Sequence, residues 1–132
     1  KDLARLRQAL DDWIAEVGDL GRVPESEMVR TWHPDGRQPR TAPVVFVPLC
    51  EESPGIEPAV QGGALKGPAL LQMHCATQGA SIACTFEPGE KARWLLYSGP
   101  LRLPAGKTTV RARATRIGYS ESEERNATFE VR

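Results

Sequence analysis

From Leu70 to the end, the chain is cut into short pieces by turn residues, and this limits its fold more than any other feature. β-rich runs of roughly four to nine residues alternate with Gly-, Pro- and Ser-containing turns about every ten residues, the pattern of strands folding back and forth in a sandwich. The runs are 70–77, 81–86, 94–97, 101–103, 108–116 and 126–131. Within 108–116, Val110, Ala112 and Ala114 fall on one face and Arg111 and Arg113 on the other, so one side suits a core and the other suits water. The small side chains at 112 and 114 need bulk opposite them, and Trp94 or Phe86 would supply it.

Gln78-Gly79-Ala80-Ser81 places Gly at the first central position of a type II′ turn, which predicts a hairpin of 70–77 with 81–86. The expected register pairs Thr77 with Ile82, Cys75 with Cys84 and Met73 with Phe86. Residues 71, 73, 75 and 77 would then share the apolar side with 82, 84 and 86. Two states stay open for Cys75 and Cys84: a cross-strand disulfide, or two reduced thiols packed as small hydrophobes. Cys50 is a lone thiol in either case.

Residues 1–41 follow a different rule. Leu3, Leu6, Leu10, Trp13, Ile14 and Val17 lie within a stripe about 100° wide at helical spacing, which predicts an amphipathic helix. Gly18 and Gly21 supply its stop. Pro24, Glu25 and Glu27 open a short second helix that ends near Trp32. The stripe needs cover, either from the chain's own sheet or from polypeptide outside this sequence; in the second case the bare patch would favour self-association. Charges at Asp2, Arg5, Arg7, Asp11, Asp12 and Glu16 interrupt the apolar residues, unlike the core of a signal peptide.

His33-Pro34-Asp35-Gly36 is a turn. Val44, Val45, Phe46 and Val47 form a strand-like run between Pro43 and Pro48, which confines it to an edge or breaks it early. Residues 50–68 carry little apolar content and read as an exposed loop. The expected organisation is thus a helical segment and linker over 1–41, followed by a mainly β, antiparallel sandwich over 42–132.

A chain of 132 residues has room for one core of useful size. Its 17 Lys and Arg balance 17 Asp and Glu, which argues against nucleic-acid binding driven by a basic surplus. The longest apolar run, 43–50, is too short to span a membrane. Asp11 and Asp12 point about 100° apart on a helix and share no ligand. His74 and Cys75 alternate to opposite faces of a strand, which disfavours a nucleophilic pair. No catalytic residue, metal ligand or cofactor site is read from the chain.

Gly79-Ala80-Ser81-Ile82, Leu96-Tyr97-Ser98-Gly99-Pro100-Leu101, Thr109-Val110-Arg111-Ala112-Arg113-Ala114 and Gly118-Tyr119-Ser120-Glu121-Ser122 together resemble the chitobiase/β-hexosaminidase C-terminal domain. That domain is a small immunoglobulin-like appendage behind several carbohydrate-active and sulfatase catalytic domains. The resemblance covers about residues 42–132. It departs from the family between Phe86 and Trp94, where Glu87-Pro88-Gly89-Glu90-Lys91 replaces an Asp-Gly-rich turn. Upstream, Leu6 through Trp13, Asp19-Leu20-Gly21, Pro24-Glu25-Ser26-Glu27-Met28 and Trp32 are similar to the tail of planctomycete-type bacterial sulfatases.

The resemblance implies an immunoglobulin-like sandwich at the C-terminus of a sulfatase, separated from its catalytic part, in a bacterial protein exported to the periplasm or beyond. It also implies that the chain alone is not an enzyme. Sulfatases use a Cys/Ser-x-Pro-x-Arg motif matured to formylglycine, and the sequences at Cys50, Cys75 and Cys84 do not fit it. Two roles follow: structural bracing of the catalytic domain or of an oligomer, or binding of sulfated or plain polysaccharide. For the second, the contact residues would be Trp94, Tyr97, Arg111, Arg113 and Tyr119, since Arg forks suit sulfate. Asn126-Ala127-Thr128 is a glycosylation sequon on paper, without meaning in the bacterial source that the resemblance implies.

Overall fold

The computed structural model describes residues 2–132 and divides into two compact units, one reaching to Gln38 and the other spanning Pro39–Arg132. The first unit holds helix α1 (Asp2–Val17), a single 3-10 turn (Leu20–Arg22) and helix α2 (Glu25–Trp32). Gly18 stops α1 with a φ of 64°, a left-handed conformation that costs glycine least. Asp19 then caps the 3-10 turn by accepting from the Gly21 N–H at 2.9 Å. No residue of either helix is buried.

The second unit is a sandwich of two sheets. Its strands are β1 (Val44–Cys50), β2 (Ser53–Pro54), β3 (Gly62–Leu65), β4 (Leu70–Cys75), β5 (Ser81–Thr85), β6 (Leu95–Leu96), β7 (Leu101–Arg102), β8 (Gly106–Thr115) and β9 (Arg125–Val131). One sheet has the order β2-β1-β4-β7 and the other β3-β9-β8-β5-β6. All strand pairs are antiparallel except β3 with β9. The mainly β sandwich after an amphipathic helix is therefore the architecture that the turn spacing predicts.

The predicted hairpin is not formed. β4 pairs with β1 and β7, whereas β5 pairs with β8 and β6, so the turn at 77–80 carries the chain from one sheet to the other. The end of β4 is drawn toward the start of β1, where the Ala42 N–H donates to Thr77 Oγ1 at 2.8 Å. Leu71, Met73, Ile82 and Cys84 do face the core, from opposite sheets. Cys75 opposes Val44 and Cys84 opposes Ala112, and both are free thiols, so the cross-strand disulfide register is corrected with the hairpin. Phe86 lies beyond β5 and is exposed rather than part of the core face.

Of the two alternatives at Pro48, an edge position or an early break, the break is not found: β1 continues to Cys50, and only Leu49 and Cys50 pair with β2 on the side away from β4. The Phe46 carbonyl accepts from the Ala59 N–H and the Pro48 carbonyl from Ser53 Oγ, so the backbone groups of both residues point away from β4. Proline's missing N–H is therefore not needed in the β1–β4 ladder. Residues 50–68 are not merely a loop, since β2 extends one sheet and β3 the other. β3 begins at Gly62, where a Cβ would collide with the Thr128 backbone of β9.

The core is filled by Phe46, Leu71, Val110 and Phe129. The Phe46 and Phe129 rings meet edge to face, with centroids 6.4 Å apart at 81°. Neither Trp94 nor Phe86 is among the buried core residues, so the bulk expected from them opposite Ala112 and Ala114 is not theirs; the facing sheet brings Phe46, Leu71 and Met73 to the same core. Ala112 and Ala114 are buried, as the alternation along β8 requires.

Candidate functional site

The residues with polar chemistry gather on the outer face of the β9-β8-β5-β6 sheet. Alternation along β8 turns Arg111 and Arg113 outward, and Trp94, just before β6, comes to lie beside them. The Arg113 guanidinium carbon stands 4.4 Å from the Trp94 ring centroid and that of Arg111 5.2 Å, both within cation–π range.

Arg111 is well occupied. Its Nε donates to Glu124 Oε1 at 2.7 Å and a terminal nitrogen donates to Oε2 at 2.9 Å, a two-pronged pair. Its other terminal nitrogen donates to the carbonyls of Glu87 and Gly89, at 3.1 and 2.7 Å. The Arg111 side chain is only 20% exposed. The hydrogen bond from Arg111 holds the Glu124 carboxyl below its ordinary range, and the same bond raises the guanidinium. Arg113 is less engaged, with one contact to Glu121 at 3.3 Å. No residue pattern singles out Glu121, Glu124 or the carbonyls of Glu87 and Gly89. The signal is recoverable only from register: Arg111 opposes Asn126 on β9, which brings 124 within reach of its fork.

The other residues expected to meet sugar are not gathered here. The Tyr97 hydroxyl accepts from the Met73 N–H of the opposite sheet at 3.1 Å, and the ring packs against the core. Tyr119 stacks instead with Arg116, at 5.6 Å. The structure thus brings together Trp94, Arg111 and Arg113, and separates Tyr97 and Tyr119 from them. His74 is exposed, while Cys75 turns inward and its Sγ donates to the Ala42 carbonyl at 3.2 Å. Among the described residues no group of three His, Cys, Asp or Glu is placed to hold a metal, and no helix is long and apolar enough to cross a membrane.

A second surface lies on α1. Leu3 and Trp13 are 62% and 54% exposed, and Leu6, Leu10 and Val17 are exposed to a similar degree, with Ile14 half-buried at the margin. The helical segment leaves its own apolar stripe uncovered. A third feature is an open cleft of about 430 Å³ at one end of the sandwich, lined mainly by Pro68, Leu103, Pro104, Ala105 and Val131, with Arg102 beside them. It offers apolar walls and two cations, since Arg132 lines it beside Arg102.

By its fold the chain is a two-sheet β-sandwich with a helical segment before it. No family model matches it. Over 125 residues, 92% of the chain, it is 30% identical to an ulvan-active sulfatase of Formosa agariphila, in the C-terminal part of that protein. The chain spans 18% of that sulfatase's length. The extracellular domain of a hybrid two-component system from B. thetaiotaomicron aligns with 76% of the chain and 16% of its own length, at a TM-score of 0.46 and 11% identity.

Proposed function

We propose that the chain is a non-catalytic accessory region of a sulfatase, serving to brace the catalytic part or an assembly of such enzymes. The observation that carries this reading is the extent of the match: 92% of the chain aligns with a small C-terminal share of a much larger sulfatase. The uncovered stripe of α1 supports it further, because an apolar helix face has a use when another surface packs on it.

The finer assignment, an immunoglobulin-like domain of the chitobiase type, draws support from the strand order. β1, β4 and β7 face β9, β8, β5 and β6 across the core, with β3 parallel to the last strand. Polysaccharide binding has weaker support. Trp94 stands on an outer sheet face, but both neighbouring guanidinium groups already have carboxylate partners.

Reading the coding DNA in frame upstream of Lys1 tests the proposal. Several hundred codons containing a Cys/Ser-x-Pro-x-Arg motif are the expected result. A start codon immediately upstream overturns it.

A further inference from the structure

We infer that α1 is a dimerisation helix, which pairs in parallel and in register with α1 of a second copy of this chain. The inference concerns α1 alone and stands whether or not the sandwich serves a sulfatase. Its first ground is spacing. Leu3, Leu6, Leu10, Trp13 and Val17 follow one another at intervals of three, four, three and four residues, a seam of two heptads on which a second helix can pack, with Ile14 at its side. All five are exposed on a helix of 16 residues that buries nothing. A lone helix of that length is marginal in water and gains its stability by covering its apolar face.

The flanking positions favour a second copy and set its direction. With Leu3, Leu10 and Val17 at one seam position and Leu6 and Trp13 at the other, Asp2 and Arg7 occupy the flanks that meet across a parallel pair. Asp2 of each copy then faces Arg7 of the other, twice by symmetry. Ala9 faces Ile14, which widens the apolar seam. The parallel arrangement retains all five seam layers. An antiparallel pair keeps four, and one of its two registers sets Asp2 against Glu16, a like-charge contact.

Sedimentation equilibrium of the intact chain over a concentration series tests this. A reversible monomer–dimer equilibrium is expected, and Leu10→Glu should abolish it while the cooperative unfolding of the sandwich persists. Asp2→Arg should weaken the dimer by roughly fivefold, and adding Arg7→Asp should restore it. Val17→Cys should oxidise to a dimer linked through position 17 on both copies, which only the parallel pairing allows. A monomer at all concentrations overturns the inference, as does a dimer indifferent to Leu10→Glu. A dimer that fails to cross-link at 17 overturns the parallel arrangement.

Discussion

The Arg113 guanidinium lies over the Trp94 ring, 4.4 Å from its centroid, on the side of β8 opposite the buried Ala112 and Ala114. Arg111 shares the same indole at 5.2 Å and also ties down the Glu87 and Gly89 carbonyls. Trp94 is thus the point where the 87–93 segment is fastened to the sheet, with its ring already in contact with two cations.

Trp94→Ala should therefore lower the stability of the sandwich by about 1–2 kcal/mol, the sum expected for two partly shielded cation–π contacts. The urea midpoint reads this directly. Arg111→Lys should cost more than Arg113→Lys, because lysine cannot reproduce the two-pronged bond to Glu124. Equal effects would show that the fork carries no weight.

Gly62 has a φ of 96° and leaves no room for a Cβ beside the Thr128 backbone. Gly62→Ala should strain or detach β3, at a cost of about 1–3 kcal/mol. Hydrogen exchange should locate the damage. Amides of β3 and the facing edge of β9 are expected to lose protection, while those of β1 and β4 keep theirs.

Much of this sandwich is legible from side-chain alternation, and its limit is equally clear at residues 70–86. The alternation correctly assigns Leu71, Met73, Ile82 and Cys84 to a core face. It cannot say whether two such runs lie side by side or on facing sheets, because both arrangements bury the same residues. Only the partners β1 and β8, distant in sequence, decide between them. For Trp94 the pattern allows two places, in the core opposite Ala112 and Ala114 or on the outer face with Arg111 and Arg113; the indole lies on the outer face beside both guanidinium groups, and the choice depends on a register not visible locally. The short strands β2 and β3 lack an alternating apolar pattern, since β2 is held by two backbone-paired positions and β3 packs only Leu65 against the core.

The separation of Cys75 and Cys84 onto different sheets gives a clean chemical test. The intact mass of the unreduced chain should correspond to three free thiols. Burial raises the Cys84 thiol above its ordinary value, so at mildly alkaline pH it should react last with a thiol reagent, after the half-buried Cys50 and Cys75. A mass lower by two hydrogens would restore the disulfide.

Two carboxylates make stability depend on acid. Arg111 holds Glu124 below the ordinary carboxylate range through a side-chain hydrogen bond, and Arg132 does the same to Glu130. A carboxyl whose pKa is lower in the folded state than in the unfolded chain contributes stability above the unfolded value of about 4.3. That contribution fades as pH falls through the lowered folded value. Glu130 and Arg132 sit at an exposed site and should add little. Glu124 should dominate, since Arg111 is the more shielded partner. Melting temperature measured against pH should fall on acidification below the ordinary carboxylate range. Glu124→Gln should lower the melting temperature at neutral pH and shrink the difference from wild type as the medium becomes acid. A constant difference at every pH would mean that the substitution acts through packing and that the ion pair with Arg111 contributes nothing.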